Sequence, residues 1–307
     1  MSLPVRLDDD HIRVGDRLSI TFQRTLRIPD DDQTYPLPPG LGRFPIRRAA
    51  DVASKLPDDW YDDFLIPMYQ REALWIAFEG ADWKPNAVKI GIGRIDALTG
   101  ETWSETLSAK PQNYLVAPDQ PWIDGINAGE GFIRQFVAMP LGEGYTVEGQ
   151  ISGEETVGGI QIIVFEPKPG RFPDEEPPRP LVSSIGMAFM EPMAAAMPQA
   201  MGVAAGGRMR QKIYPDKYGI RTWDPDQRAS LNVRIVNTRD WLGLSGEPAP
   251  PTPVDAAAYS DAGLPWFDLY DESEGDIAAS EKLAGVKSVG GAKEASVKVR
   301  RVKKLRP

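Results

Sequence analysis

The side chains that most often carry catalysis are scarce in this sequence. There is no cysteine, and His11 is the single histidine. The lack of cysteine removes every thiolate mechanism and every cysteine-ligated zinc or iron–sulfur site. His11 lies near a terminus beside an acidic run, whereas the histidine of a Ser–His–Asp site needs rigid support from its surroundings. The sequence therefore favours neither nucleophilic catalysis nor a tight zinc or non-haem iron site.

Pairs of carboxylates are the remaining route to hydrolysis. A glycosidase needs two carboxylates about 5–10 Å apart across a cleft. In a chain of net charge −9 most acidic pairs are solvated loop residues. A carboxylate-based hydrolase is therefore only our third hypothesis. The candidate pairs are Asp58/Asp59, Asp62/Asp63, Glu154/Glu155 and Asp268/Asp271.

Acidic and glycine-containing motifs do not match the common cofactor sites. Neither Asp30–Asp32 nor Asp268–Asp276 has the ligand spacing of an EF-hand loop, although a looser surface calcium site stays open. Gly91 and Gly93 lie inside a predicted strand, and no phosphate-binding loop motif occurs. We predict no cofactor.

Five methionines recur at three- and four-residue spacing in an Ala-rich segment between residues 186 and 207. This spacing predicts one face of a short helix. Methionine adapts to varied apolar partners, so we interpret the face as a partner-binding or self-docking surface. Core packing and Cu(I) ligation by thioethers are the alternatives. The residues are Met187, Met190, Met193, Met197 and Met201.

The C-terminal end is basic, and the rest of the chain is acidic. From Lys282 onward there are nine Lys or Arg and one Glu, a net charge of about +8, so the preceding residues carry about −17. An acidic body repels nucleic acid, which only the tail could attract. The tail is either a solvated end or an arm that adds a strand to, or clamps, an acidic partner or a second copy. Its predicted partner-binding residues are Lys298, Arg300, Arg301, Lys303 and Lys304.

Eight tryptophans are spread along the chain. On a β-sandwich they could stack against sugars, which makes a carbohydrate- or small-ligand-binding protein the second hypothesis. Those that fall within predicted strands, Trp75 above all, favour a place in the core.

Short apolar stretches separated by turns dominate the first half of the chain. Residues 17–28 alternate apolar and polar side chains, which predicts a long half-buried strand. With 29 Gly and 29 Pro marking the turns, we predict an all-β fold with a β-sandwich or jelly-roll-like core. The other predicted strands are 73–79, 87–97, 134–139, 145–152 and 160–165.

Composition divides the chain into four parts. We predict a β-sandwich domain over 1–166, a Pro-rich linker with the Met/Ala segment over 167–207, a smaller C-terminal β-containing region over 208–287, and the basic tail over 288–307. The third part includes a strand at 231–236 and short helices at 238–244, capped by Thr238, and 254–262. No secretory signal and no apolar run of membrane-spanning length are recognisable, so we expect a cytoplasmic protein.

Four blocks resemble a family of microbial proteins to which no activity is assigned. The likeness extends over most of residues 17–287 and implies no substrate or site. The blocks are QNYLVAPDQPWIDGI from Gln112, RQFVAMPLGEGYTVEGQISGEETVGGIQ from Arg134, RMRQKIYPDKYGIRTWD from Arg208 and GLPWFDLYD from Gly263.

These observations together favour a non-enzymatic interaction protein that self-assembles or serves as a scaffold. The opposite charges of body and tail and the Met/Ala segment between Pro-rich stretches motivate this hypothesis.

Overall fold

The computed structural model describes residues 2–31, 33–57, 60–177, 200–253 and 275–292. Strands dominate these ranges, and the prediction of an all-β fold is confirmed. The strands are β1 (Val5–Asp8), β2 (His11–Val14), β3 (Leu18–Thr25), β4 (Thr34–Tyr35), β5 (Gly40–Arg43), β6 (Arg47–Arg48), β7 (Phe64–Met68), β8 (Ala73–Glu79), β9 (Asn86–Ile92), β10 (Ile95–Asp96), β11 (Leu115–Ala117), β12 (Trp122–Ile123), β13 (Gly125–Gly129), β14 (Phe132–Pro140), β15 (Ile160–Pro167), β16 (Ala200–Arg210) and β17 (Trp223–Asn237).

Within these ranges the helices are few and short. They are α1 (Val147–Ser152), α2 (Thr238–Ser245) and α3 (Glu281–Ala284), with 3₁₀ segments at Ala49–Lys55 and Ile220–Thr222.

All seventeen strands of the described ranges belong to one hydrogen-bonded sheet. Its main path runs β1-β2-β3-β8-β14-β16-β17-β15-β9, and every neighbouring pair along this path is antiparallel. Among the strands that the structure describes, β4 beside β16 and β7 beside β17 are the pairs that run parallel. The central strands β16 and β17 therefore come from the part of the chain after residue 199.

One apolar core is shared by distant parts of this sheet. Ile20 of β3 and Ile76 of β8 belong to the same buried cluster as Ile90 of β9 and Ile162 of β15. The two halves of the continuous sheet thus enclose a common interior, as the two sheets of a sandwich would. Strand β3 is more buried than alternation predicts, since Ser19 and Thr21 on its other face are also buried.

The predicted strand at 145–152 is wrong, because this segment forms helix α1. The hydroxyl of Thr146 accepts a hydrogen bond from the Gly149 amide (3.0 Å), which caps the first turn. Gly153 then ends the helix in the left-handed conformation that a residue without Cβ adopts readily. In this eight-residue segment the alternation of apolar side chains favours a strand, but the caps at both ends stabilise a helix.

Thr146→Ala is expected to lower the free energy of unfolding by about 1–2 kcal/mol, because it removes the cap of α1. The same hydroxyl also donates to Glu155 (2.5 Å), so the loss should lie at the upper end of this range. Chemical denaturation measures it. Thr146→Ser keeps the hydroxyl and should retain most of the stability; an equal loss in both variants would assign the effect to the methyl group instead.

The Met/Ala segment was predicted to be helical, and for its described part this is wrong. Residues from Ala200 onward form strand β16, in which Met201 is buried and lies opposite Pro140 of β14 and Ile235 of β17. Strand β16 needs small residues because other chain segments lie very close to its backbone. A Cβ on Gly207, for example, would lie 2.2 Å from the carbonyl oxygen of Pro29. Met187, Met190, Met193 and Met197 lie outside the described residues.

The helix predicted at 238–244 is present as α2, although its cap is different. The side chain of Asn237, not Thr238, accepts a hydrogen bond from the Arg239 amide (3.1 Å). Both residue types cap helices well, so sequence alone does not decide between neighbours. The helix predicted at 254–262 lies outside the described residues.

Candidate functional site

The C-terminal segment 275–292 is fixed on the body of the protein. Ser280 caps α3 and donates its hydroxyl to the carbonyl of Thr99 (2.6 Å). Further along, the Val289 amide donates to Ala205 of β16 (2.9 Å) and the Gly290 amide donates to the Asp30 carboxylate (2.9 Å). The chain therefore leaves the described structure at a defined place. The predicted tail residues Lys298, Arg300, Arg301, Lys303 and Lys304 follow it and lie outside the described residues.

A groove of about 790 Å³ lies beside this exit, between α1 and the C-terminal segment. Its walls include Gln150, Lys282, Lys287 and Ala292. Gln150 and Lys287 exchange hydrogen bonds, with the Lys287 amide donating to the Gln150 side chain (2.8 Å) and that side chain donating back to the Lys287 carbonyl (3.1 Å). Nζ of Lys282 is paired with the Glu101 carboxylate (2.5 Å), and no acidic side chain among the described residues lines this groove.

His11 lies in β2, and Nη1 of Arg43 is 2.6 Å from its Nε2. The residue is half-buried rather than a fully solvated terminal residue. The neighbouring carboxylate of Asp10 accepts hydrogen bonds from the Ile46 amide (3.0 Å) and from Arg47 (3.5 Å). Asp10 thus joins the turn between β1 and β2 to β6, which contains Arg47, and this is a structural role.

Two of the acidic pairs singled out in the sequence lie in the described ranges, and neither faces its partner across a cleft. Asp63 is buried and bound by Asn232 (2.8 Å) and Arg234 (2.6 Å), whereas Asp62 is exposed. Glu155 is fully buried, whereas Glu154 lies nearer the surface. Asp58, Asp59, Asp268 and Asp271 lie outside the described residues.

Glu148 and Glu155 organise the loops around α1 by accepting backbone hydrogen bonds. Glu148 accepts from the amides of Thr156 (2.9 Å), Val157 (2.8 Å) and Gly158 (2.8 Å). Glu155 accepts from the amides of Gly142, Gly144 and Thr146. Burial raises the pKa of Glu148, and the backbone donors oppose that rise. Such use of the carboxylate oxygens points to loop architecture rather than to acid–base chemistry.

Three further buried polar arrangements had no counterpart in the sequence analysis. Lys89 of β9 is paired with Asp96 of β10, and both side chains are 1% exposed. Arg24 of β3 is paired with Glu72 (2.7 Å). Asp124 is buried, has no cationic partner among the described residues, and accepts a hydrogen bond from Gln211 (2.8 Å). A charged residue inside an apolar stretch, such as Lys89 in AVKIGI, was the only available signal.

The tryptophans of the described ranges do not form an exposed platform. Trp60, Trp223 and Trp241 are buried, and the others are half-buried. Trp75 and Trp122 contact each other edge to face, with ring centroids 6.4 Å apart. The half-buried indoles of Trp83 and Trp103 lie next to cations, those of Arg17 and Lys89. Trp266 lies outside the described residues.

Within the described residues, no group of three or more His, Asp or Glu side chains is arranged to hold a metal ion. None of the helices in these ranges combines the length and the apolar character needed to cross a membrane.

Comparison with known proteins leaves the chain without an assigned family. No protein-family model, no curated protein and no solved structure matches it.

Proposed function

We propose that this protein is a non-enzymatic interaction protein that assembles with copies of itself, its basic tail binding the acidic body of a neighbouring copy. The observation that carries the proposal is the opposite charge of the two parts. Residues from Lys282 onward carry about +8 and the preceding residues about −17. Attraction between such parts lowers the free energy of association, while two acidic bodies alone repel each other.

The anchored segment 275–292 supports this proposal because it fixes the place where the tail begins. Hydrogen bonds from Val289 and Gly290 to the body hold the chain two to three residues before Ala292. A tail that starts at a defined point reaches a defined region of a neighbour, which favours assemblies of definite size. In the described ranges only Tyr61 is a large apolar side chain with substantial exposure, so charge, not an apolar patch, is the driving force we propose.

A cytoplasmic location is part of the same proposal. The chain has no cysteine, so its assembly needs no disulfide and is compatible with a reducing compartment.

Absolute mass by light scattering after size exclusion tests self-assembly. The full chain at about 50 mM salt should give a defined assembly above 33.8 kDa, and about 1 M salt should dissociate it, because the Debye length then falls to about 3 Å. A chain ending at Ala292, which keeps the whole anchored segment, should be a monomer at both salt concentrations. A 33.8 kDa species for the full chain at low salt would contradict the proposal.

A charge-matched pair of variants separates the tail from charge in general. In the first, five tail residues are changed to Gln: Lys298, Arg300, Arg301, Lys303 and Lys304. In the second, five exposed basic residues of the body are changed to Gln: Arg6, Arg71, Lys110, Lys168 and Arg171. Only the first should lose the assembly. Equal loss in both would assign association to overall charge and not to the tail.

A further inference from the structure

A small pocket opens between the hairpin β9–β10, the start of β16 and the strand β17. Its volume is about 220 Å³, which corresponds to roughly seven water molecules at liquid density. Two guanidinium groups line it, together with apolar side chains and one threonine. The lining residues used below are Trp60, Arg94, Leu141, Thr156, Ala200 and Arg234.

Arg94 occupies a backbone conformation that disfavours a residue with a Cβ. It follows Gly93 in the two-residue turn between Ile92 and Ile95, and φ is +55° at Gly93 and +61° at Arg94. Hairpin turns of this kind usually place Gly at the second position. The turn is held by the Arg94 amide, which donates to the Gln161 side chain (2.8 Å), and by the Arg94 carbonyl, which accepts from Trp103 (2.9 Å). A strained residue at a pocket wall is a reason to look for function there.

The side chain of Arg94 is exposed and forms no ion pair with any described carboxylate. Its positive charge is therefore not neutralised by the part of the protein that the structure describes. Arginine presents several N–H donors in a plane, which matches the two oxygens of a carboxylate or phosphate.

Arg234 is held in place by three neighbours. Its Nε donates to Asp63 (2.6 Å), its Nη1 donates to the Val157 carbonyl (2.9 Å), and its guanidinium lies 4.9 Å from the ring centroid of Trp60. These contacts use Nε and Nη1 and leave Nη2 without a hydrogen-bond partner among the described residues. A donor fixed in this way loses little conformational freedom when it binds a ligand.

Two carboxylates in contact with lining residues of the pocket are already engaged. Asp63 is bound by Asn232 and Arg234, so it offsets the charge of Arg234. Glu148, which lies beneath the Gly93–Arg94 turn, accepts hydrogen bonds from the amides of Thr156, Val157 and Gly158. The charge of Arg94 is the one that remains to be matched by a ligand.

We propose that this pocket binds a small oxyanion, a carboxylate or phosphate group on a molecule of roughly seven to ten non-hydrogen atoms. Arg94 and Nη2 of Arg234 hold the oxygens, the hydroxyl of Thr156 donates a further hydrogen bond, and Leu141 and Ala200 contact the remainder of the molecule. This site is independent of self-assembly, so a monomeric protein would leave the inference intact.

Calorimetric titration of the full chain with inorganic phosphate and with benzoate tests the site. The buffer holds chloride at matched ionic strength, and thermal unfolding in the same solutions gives a second measurement. At least one of the two anions should bind saturably to a single site. Binding of phosphate alone or benzoate alone identifies which oxyanion the pocket prefers. Failure of both to bind would overturn the inference, including the case in which the chain's own residues fill the pocket.

A pair of Arg→Asn variants provides the matched comparison. Arg94→Asn keeps a residue that tolerates positive φ but removes the guanidinium, so anion binding should weaken at least ten-fold while stability in chloride is unchanged or higher. Arg71→Asn makes the same change at an exposed residue with φ of +70° that does not line the pocket. Its dissociation constant for the anion should stay within two-fold of the original value, which corresponds to about 0.4 kcal/mol. Equal weakening in both variants would show that the anions bind through general charge and would overturn the site.

Discussion

Lys89→Met is expected to lower the free energy of unfolding by about 3–5 kcal/mol, the usual cost of removing one partner from a buried ion pair. The substitution leaves the Asp96 carboxylate, which is 1% exposed, without its cation. It also removes the contact between the ammonium and Trp103, whose ring centroid lies 5.0 Å from Nζ. Equilibrium denaturation in urea measures the change.

Lys84→Met is the matched control for this prediction. Its Nζ is paired with Asp174 (2.7 Å), whose side chain is 83% exposed, so the loss should stay below about 1 kcal/mol. The double variant Lys89→Met/Asp96→Asn removes the stranded charge and should be more stable than Lys89→Met alone. Similar losses in Lys84→Met and Lys89→Met would mean that burial does not determine the contribution of the pair.

Asp124 is expected to make the protein less stable as the pH rises from 4 to 8. Burial raises its pKa from 3.8 to about 7, even though Gln211 and Trp122 donate hydrogen bonds that act in the opposite direction. Within this pH window the folded state holds a proton that the unfolded state has released. The resulting stabilisation is complete below about pH 4 and is lost as the pH rises through 7. At about 1.4 kcal/mol for each pH unit, the total is about 4 kcal/mol.

Comparison with Asp124→Asn isolates this contribution. The asparagine keeps an oxygen that can accept from Gln211 but does not titrate. The free energy of unfolding of the original protein minus that of the variant should therefore fall by about 4 kcal/mol between pH 4 and pH 8. Asp62→Asn, at an exposed position, serves as the control, and its difference should stay within about 0.5 kcal/mol. A difference that is flat with pH for Asp124→Asn would disprove the prediction.

Most strands of the first half of the chain were predictable from local pattern. The run Ala73–Glu79 was predicted with its observed bounds, and the strands within 17–28, 134–139 and 160–165 differ only at their ends. The single strand predicted at 87–97 is wrong, because a turn at Gly93–Arg94 divides it into β9 and β10. These segments are rich in β-branched and aromatic residues that pack on a pleated surface, so pattern and final structure agree.

Two segments depart from their local apolar pattern, for different reasons. In 145–152 the Thr146 hydroxyl caps the first turn from within the segment, and Glu148 and Glu155 accept hydrogen bonds from amides of residues 142–158, so the signal that selects a helix is local but is not an apolar alternation. Around Met201, small residues read equally well as helix or strand, and the partners that select a strand, β14 and β17, lie far away in sequence. Partners distant in sequence leave no local pattern.

The pocket lined by Arg94 and Arg234 could not be predicted from the sequence, because its residues are distant from each other along the chain. Arg94 and Arg234 are 140 positions apart, and each looks like an ordinary surface arginine within its own strand or turn. Their shared pocket exists because β9 and β17 both flank β15. By contrast, the opposite charges of body and tail were visible directly, because composition needs no spatial information.

The position of β16 and β17 at the centre of the sheet has a consequence for synthesis on the ribosome. These strands begin at residues 200 and 223, yet they join β14 to β15, which emerge much earlier. Until then β14 and β15 each present a free edge, and pairings over such long loops form slowly. We expect the sheet to be completed only after residue 237 has left the ribosome, with these two edges as the places where a nascent chain is most prone to aggregate.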